Sequence, residues 1–203
     1  MFKKMLVTLG ILAISACSQA QTATQTDTAD QNPSKPLIVY LSRTQNTATL
    51  AQMIQKHTGG DMAKIEVQTP YPADYSAQVA QVRRENEQNY LPPLKPLVKD
   101  IADYQSVYLG FPTWSMTLPP PVKSWLANTD LSGKIIYPFN TYGQYGIGNS
   151  IDEIKRLCRG CIVKPVLSIQ GGREKEGVML AITGTKKDEA ERQVKNWLDG
   201  HSK

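Results

Sequence analysis

Six polar residues separate an apolar run from a helical pattern in the segment "YLSRTQNTATLAQMI" (40–54). Ser42, Thr44 and Thr47 carry hydroxyls and Asn46 carries an amide. They stand beside backbone N–H groups that the first turn of a helix leaves unpaired, where the helix dipole also favours an anion. The segment therefore predicts a phosphate site, and simple capping of the helix is the alternative.

The loop is expected to hold a monophosphate. It lacks the glycine-lysine signature of nucleoside triphosphate loops and the G-x-G-x-x-G of dinucleotide folds. Hydroxyls neutralise little charge, so Arg43 is expected to add a cation if its side chain folds inward. The first part of the predicted site is Ser42, Arg43, Thr44, Gln45, Asn46 and Thr47.

Strand and helix patterns that alternate from residue 36 onward must position this loop. Strands are predicted at 36–42, 63–68, 106–111, 134–140 and 162–170. Helices are predicted at 48–60, 74–88, 120–128, 150–158 and 187–199. We expect the helix at 74–88 to be polar and exposed, and the helix at 150–158 to begin with a capping box of Ser150 and Glu153. The pattern indicates one α/β domain, residues 37–203, built on a three-layer, doubly wound, five-stranded parallel sheet.

Ligands of such sheets bind outside the carboxyl ends of the strands, where the strand order reverses. Three loops leave predicted strands at that edge, namely 42–47, 112–120 and 141–150. We therefore expect the three loops to form a single site.

Three segments in this order, "IVYLSRTQNTATLAQMI", "YLGFPTWSMTLPPPVKSWL" and "FNTYGQYGIGNS", resemble the flavodoxin family. The resemblance covers residues 37–170 and implies a flavodoxin-like fold that binds FMN. The first segment matches the phosphate-loop signature of the family at Ser42, Thr47, Ala51 and Ile54. It departs at Gln45, where a small residue is usual and where the larger side chain must point outward.

The resemblance also assigns roles to residues. It implies that Ser42, Thr44, Asn46 and Thr47 hold the phosphate. Trp114 matches the aromatic residue that stacks on the flavin ring, with a plain core residue as the alternative. Either Tyr142 or Tyr145 would cover the opposite face. The peptide after Trp114 contains no glycine, so a left-handed backbone is not favoured there. The rest of the implied site is Pro112, Thr113, Trp114, Ser115, Thr141, Tyr142, Gly143, Tyr145 and Gly146.

The first residues differ from the rest. "MFKKMLVTLGILAISAC" has a basic start and an apolar run too short to span a bilayer, which takes about 20 residues. Its "ISAC" resembles the lipobox of bacterial lipoproteins, which implies a signal peptide at 1–16 and a lipid on Cys17. Residues 17–36 are predicted to be a flexible tether. We expect a lipid-anchored protein on the periplasmic side, at the outer membrane. An ordinary signal peptide cut near Ala20 is the alternative.

Charge and cysteines limit the partners. The formal charge of +5 falls to +3 without the two lysines of the signal segment, and the positive residues are scattered, so no nucleic-acid partner is expected.

The "CRGC" at 158–161 is expected to form a small structural disulfide of Cys158 and Cys161, at the sheet edge opposite the site. A redox-active pair and free thiols are the alternatives. No metal site is expected, and "GGREKEG" (171–177) is interpreted as a solvated loop.

The resemblance and the predicted signal peptide together imply an exported FMN protein that transfers electrons to a redox partner protein or a small acceptor such as a quinone. An FMN-dependent NAD(P)H or quinone reductase is the first alternative, because a charge of +3 is unlike the acidic electron carriers of the family. A binding module of the same fold without a cofactor is the second.

Overall fold

The computed structural model describes residues 35–98 and 100–201. The predicted signal segment 1–16, Cys17 and all but the last two residues of the predicted tether lie outside the described residues. The signal peptide, the lipid on Cys17 and the tether therefore stay predictions.

The elements alternate along the chain as the pattern predicts. The strands are β1 Leu37–Tyr40, β2 Asp61–Lys64, β3 Ser106–Pro112, β4 Ile135–Tyr142, β5 Ile162–Val163 and β6 Leu167–Gln170. The helices are α1 Asn46–Thr58, α2 Tyr75–Glu87, α3 Pro120–Ala127, α4 Ser150–Leu157 and α5 Gly184–His201. In the described part of the chain, 3₁₀ turns lie at Ile101–Asp103 and Glu174–Glu176.

The strands form one sheet in the order β2-β1-β3-β4-β5, and all pairings are parallel. The fifth position holds β5 and then β6, which both pair with β4. The order reverses between β1 and β3, which is where a ligand is expected. The predicted doubly wound α/β fold is confirmed.

Both faces of the sheet are buried, as the continuous apolar strands predict. Leu37 and Val39 of β1 point into the core that holds α3 and α4, while Ile38 between them points into the core with α1 and α5. Each face is therefore covered by helices, which gives the three layers.

Two predicted strands differ from the structure. The second strand was expected at 63–68, but β2 ends at Lys64, after which only the Ile65 N–H still reaches the sheet, at Tyr40 O. Val67 then forms an antiparallel bridge with Leu94 outside the sheet. The chain can leave because β2 is an edge strand, so neighbours in the fold decide its end.

The fifth strand was predicted as one run at 162–170. It is broken into β5 and β6 around Pro165, which has no N–H to donate to the neighbouring strand. The prediction counted apolar residues and ignored the missing donor.

The predicted capping box of α4 is wrong. Ser150 is the first helical residue, and its hydroxyl donates to Ile147 O at 2.7 Å. Glu153 instead pairs with Arg156 at 2.9 Å and Lys123 at 3.6 Å. The hydrogen bond from Arg156 is the main cause that lowers the pKa of Glu153.

Candidate functional site

A cavity of about 440 Å³ opens at the carboxyl edge of the sheet. Its walls are the loops that follow β1, β3, β4 and β6, together with one face of α2. Of the predicted site residues, those that line it are Arg43, Thr44, Asn46, Pro112, Thr113, Trp114, Ser115, Thr141, Tyr142, Gly143, Tyr145 and Gly146. Ser42, Gln45 and Thr47 do not line it.

These three residues shape the loop instead. The Ser42 hydroxyl accepts the Ala48 N–H at 3.2 Å, and the buried Thr47 hydroxyl lies 2.7 Å from that of Thr141. Gln45 precedes α1 with φ 67°, and its side chain is exposed, as its size requires. Because a left-handed backbone penalises any Cβ, glycine would be the unstrained residue at this position.

The start of α1 keeps its backbone donors free. Among the described residues, the N–H groups of Thr44, Gln45, Asn46 and Thr47 have no hydrogen-bond acceptor. The Thr44 hydroxyl accepts a bond from Asn46 Nδ2 at 2.9 Å, so its own proton remains available. Free donors at the positive end of a 13-residue helix favour an anion.

The side chain of Asn46 is fully used within the protein. Its Nδ2 donates to Thr44 Oγ1 and to Met179 O at 2.7 Å. Its Oδ1 accepts the N–H groups of Ala181 and Ile182 at 2.9 and 3.2 Å. The amide therefore ties the loop to the segment before α5, and only its backbone N–H is left for an anion.

Arg43 folds inward but its charge is already paired. The guanidinium binds both carboxylate oxygens of Glu174 at 2.7–2.9 Å and donates to the carbonyls of Pro72 and Ala73. Arg43 and Glu174 are 18% and 14% exposed. The expected cation therefore joins the loop after β1 to the turn at Glu174 and to the segment 72–73. Lys175 also lines the cavity and has no ionic partner among the residues that the structure describes.

Trp114 sits on a tight turn. Trp114 and Thr117 exchange two backbone hydrogen bonds of 3.1 and 3.3 Å across Ser115 and Met116. Those two residues have φ of 51° and 59°, the signs of a type I′ turn. The sequence did not favour a left-handed backbone here, because neither residue is glycine. The structure corrects that expectation. Contacts from the next loop hold this turn.

That loop is the glycine-rich segment after β4. The Asn149 N–H donates to Met116 O at 3.1 Å. Gly148 lies so close that a Cβ built on it would be 1.9 Å from the same oxygen. Only glycine fits there, and the contact fixes the turn that carries Trp114.

The Trp114 ring contacts a half-buried tyrosine that is bonded to a buried carboxylate. Tyr71 meets it edge to face, with ring centroids 5.3 Å apart. The Tyr71 hydroxyl donates to Glu85, which is 6% exposed and also accepts from Gln81 at 2.8 Å. Burial, and then the bond to Glu85, raise the pKa of Tyr71. Tyr71 therefore contacts the ring of a residue that also lines the cavity.

The two candidate tyrosines both line the cavity but differ in exposure. Tyr142 is half-buried, whereas Tyr145 is 75% exposed. Which of them covers a flavin face stays a prediction, as do the ligand roles of all the site residues.

Two walls of the cavity were not predicted from the sequence. Tyr75, Gln78, Val79 and Val82 of α2 line it, at the i, i+3, i+4, i+7 spacing of one helix face. The segment 171–176, interpreted as solvated, lines it too. The α2 spacing was a usable signal, but the polar remainder of the helix hid it.

The two cysteines lie at the other edge of the sheet. Cys158 follows the end of α4 and Cys161 precedes β5, with a disulfide of 2.08 Å between their sulfurs.

Within the described part of the chain, no cluster of His, Cys, Asp or Glu could hold a metal ion. None of the described helices has the length and hydropathy that a membrane span requires.

Comparisons with known proteins agree with this geometry. A sequence model of the family described as Flavodoxin matches residues 35–185. No curated protein matches this chain significantly.

Solved structures share the fold. A chain named as a candidate flavoprotein from Bacteroides uniformis ATCC 8492 is 23% identical, with a TM-score of 0.65, and the match covers 81% of this chain and 97% of that one. One from Bacteroides eggerthii DSM 20697 is 25% identical, with a TM-score of 0.64 and coverage of 81% and 96%. A flavoprotein in complex with FMN from Lactobacillus acidophilus NCFM is 20% identical, with a TM-score of 0.60 and coverage of 66% and 93%.

Proposed function

This chain belongs to the flavodoxin family, and we propose that it binds FMN in the cavity at the carboxyl edge of its sheet and transfers electrons. FMN supplies one- or two-electron chemistry, while the protein holds and tunes it. The observation that carries the proposal is the set of free N–H donors at the start of α1, of which Thr44 and Asn46 line the same cavity as Trp114.

The residues present fit the phosphate of FMN. The N–H groups of Thr44 and Asn46, which line the cavity, and the hydroxyl proton of Thr44 supply donors, and the helix dipole supplies a favourable field. Charge neutralisation comes from elsewhere than Arg43, since Glu174 pairs it. Lys175 is the cation of the cavity wall that remains available.

The rest of the cavity suits a planar ring. Its volume of about 440 Å³ lies in the range common for small-molecule sites. Trp114 supplies an aromatic wall, held by Tyr71, and the glycines after β4 let backbone donors approach a ring edge closely.

A reductase of quinones or other small acceptors is the second candidate. Large apolar side chains stand exposed around the cavity, where Tyr75, Val79 and Met116 are 37%, 40% and 44% exposed. This rim favours contact with an apolar acceptor. Turnover of menadione with NADH or NADPH by the FMN-loaded protein would favour it over a carrier that serves only a partner protein.

Export and lipid attachment at Cys17 are part of the proposal. The basic start, the short apolar run and "ISAC" support them. A tether of residues 17–36 would place the domain near the membrane, on the periplasmic side. Membrane fractionation tests this, because Cys17→Ala should move the protein to the soluble fraction; a wild-type chain found in the cytosol would overturn it.

The FMN proposal is tested by titrating the apoprotein with FMN and with riboflavin, which lacks the phosphate. We expect saturable binding, tighter for FMN by at least about tenfold. Trp114→Ala should weaken both ligands, whereas Trp114→Phe should retain most of the affinity. Thr44→Ala should weaken FMN alone.

No saturable FMN binding would refute the proposal and leave the cofactor-free binding module as the function of this fold. Equal affinity for FMN and riboflavin would refute the phosphate site while keeping the ring site.

A further inference from the structure

Gln78 is a buried polar residue on the cavity wall. It lies on the first half of α2, is 3% exposed, and lines the cavity together with Trp114. Its backbone N–H makes an ordinary helical bond to Asp74 O at 3.0 Å. Nothing in the sequence singled it out, because α2 was expected to be polar and exposed.

The side-chain amide of Gln78 has no hydrogen-bond partner among the residues that the structure describes. Gln81 on the next turn shows the ordinary solution, since its amide donates to Glu85 at 2.8 Å. A buried amide without a partner costs stability, so such groups are normally satisfied. The partner of Gln78 is therefore expected from outside the protein.

The amide is open on one side. Asn86 Nδ2 and His201 Nε2 are the described side-chain atoms that are fully enclosed without a partner. The Gln78 amide is also without a partner but is not enclosed, so its atoms keep some accessible surface. Because the residue lines the cavity and is otherwise buried, that surface faces the cavity.

The surroundings define the ligand. Tyr75, Val79 and Val82 flank Gln78 on the same helix face, so this wall carries no charge. The NH₂ group of the amide is a donor, which suits a carbonyl oxygen at the edge of a planar ring. A charged ligand would gain nothing from this wall, whereas an apolar ring with a carbonyl would be held by both contacts.

We propose that Gln78 is a ligand-binding residue whose amide hydrogen-bonds the carbonyl edge of a planar ring held against the apolar face of α2. The inference rests on the proposed function and deepens it. Two sources supply this chemistry, the ring of the flavin itself and a quinone-type acceptor.

The test compares Gln78→Leu with the wild type and with Gln52→Leu, the same change at an exposed position of α1. The urea midpoint of apo Gln78→Leu should equal or exceed that of the wild type, because an unpartnered buried amide is replaced by an apolar group. If the Gln78 amide made a hydrogen bond that stabilises the fold, the urea midpoint of Gln78→Leu would be lower than that of the wild type.

Ligand measurements then identify the source. If the amide binds the flavin, dissociation constants for FMN and riboflavin both rise about tenfold, since the phosphate is not involved. If it binds the acceptor, both constants stay at wild-type values. The menadione concentration that half-saturates reoxidation of the dithionite-reduced, FMN-loaded protein then rises about tenfold. Gln52→Leu should change none of these values.

The proposal is overturned if all three values stay within twofold of the wild type, or if Gln78→Leu lowers the urea midpoint with unchanged affinities. A wild-type protein that binds neither flavin overturns both this proposal and the proposed function. Wild-type binding with an unaffected variant overturns only the role of Gln78.

Discussion

Replacing Gly148 by alanine should damage the site although Gly148 does not line the cavity. A Cβ there would lie 1.9 Å from Met116 O and 2.4 Å from its carbonyl carbon, far inside the 3.0 Å that real Cβ atoms respect. One of the two loops must therefore retreat by more than 1 Å. That movement breaks the 3.1 Å bond from Asn149 to Met116 and shifts the turn that carries Trp114.

The magnitude follows from three costs. Alanine at φ 61° costs about 1–2 kcal/mol. The lost hydrogen bond adds about 1 kcal/mol, and the forced loop movement adds about 1 kcal/mol or more. We expect the free energy of unfolding of Gly148→Ala to fall by about 3–4 kcal/mol. We expect FMN affinity to fall at least about tenfold.

Gly146→Ala is the matched control in the same loop. Gly146 also has a positive φ, of 80°, but a Cβ there meets nothing within 4 Å. The free energy of unfolding of Gly146→Ala should therefore fall only by the cost of alanine in a left-handed backbone, about 1–2 kcal/mol. Urea unfolding of the two variants isolates the contact with Met116, whereas FMN titration compares Gly148→Ala with the wild type, because Gly146 itself lines the cavity. Equal losses in both would refute the reasoning that this contact holds the Trp114 turn.

Three further predictions concern residues that support the site. Asn46→Ala should lower the free energy of unfolding by about 2–4 kcal/mol in urea denaturation, because the backbone groups of 179–182 that bond its amide lose their hydrogen-bond partner. A loss below 1 kcal/mol would contradict this role. Ser115→Gly should raise the same free energy by about 0.5–1 kcal/mol, because a left-handed backbone costs glycine less than serine; a destabilised variant would show that the turn is not strained. Tyr71→Phe should lower the free energy of unfolding by about 1–3 kcal/mol at pH 7, because the buried Glu85 loses a hydrogen-bond donor. Since the folded state raises the pKa of Tyr71 above its ordinary 10, this contribution is complete below pH 10 and declines as the pH rises further. The stability gap between wild type and Tyr71→Phe should therefore shrink in unfolding measurements above pH 10, and a constant gap would contradict the pKa shift.

The alternation of apolar strands with amphipathic helices was enough to predict the α/β fold. This pattern can be read from short stretches of sequence. An apolar strand such as β1 must be covered on both faces, and parallel strands are connected by crossover helices. The same local logic placed the three loops at one edge of the sheet, and twelve of the predicted site residues line one cavity there.

Strand ends depended on neighbours. The edge strand β2 stops early because Val67 finds a partner in Leu94, which is remote in sequence. The break at Pro165, by contrast, was readable from the sequence, because proline always lacks the donor that the ladder needs.

The roles of side chains were decided only by tertiary structure. The sequence alone determined that Arg43 and Asn46 stand beside the start of a helix, but not that Glu174 and the segment 179–182 would occupy them. The positive φ of Met116 likewise depends on a contact with Gly148 in another loop. Residue type sets which hydrogen bonds a side chain can make, whereas the partner that arrives from a distant part of the chain sets which bond it does make. For the same reason Gln78, an ordinary polar residue in the sequence, becomes a candidate ligand-binding group only after folding buries it without a partner.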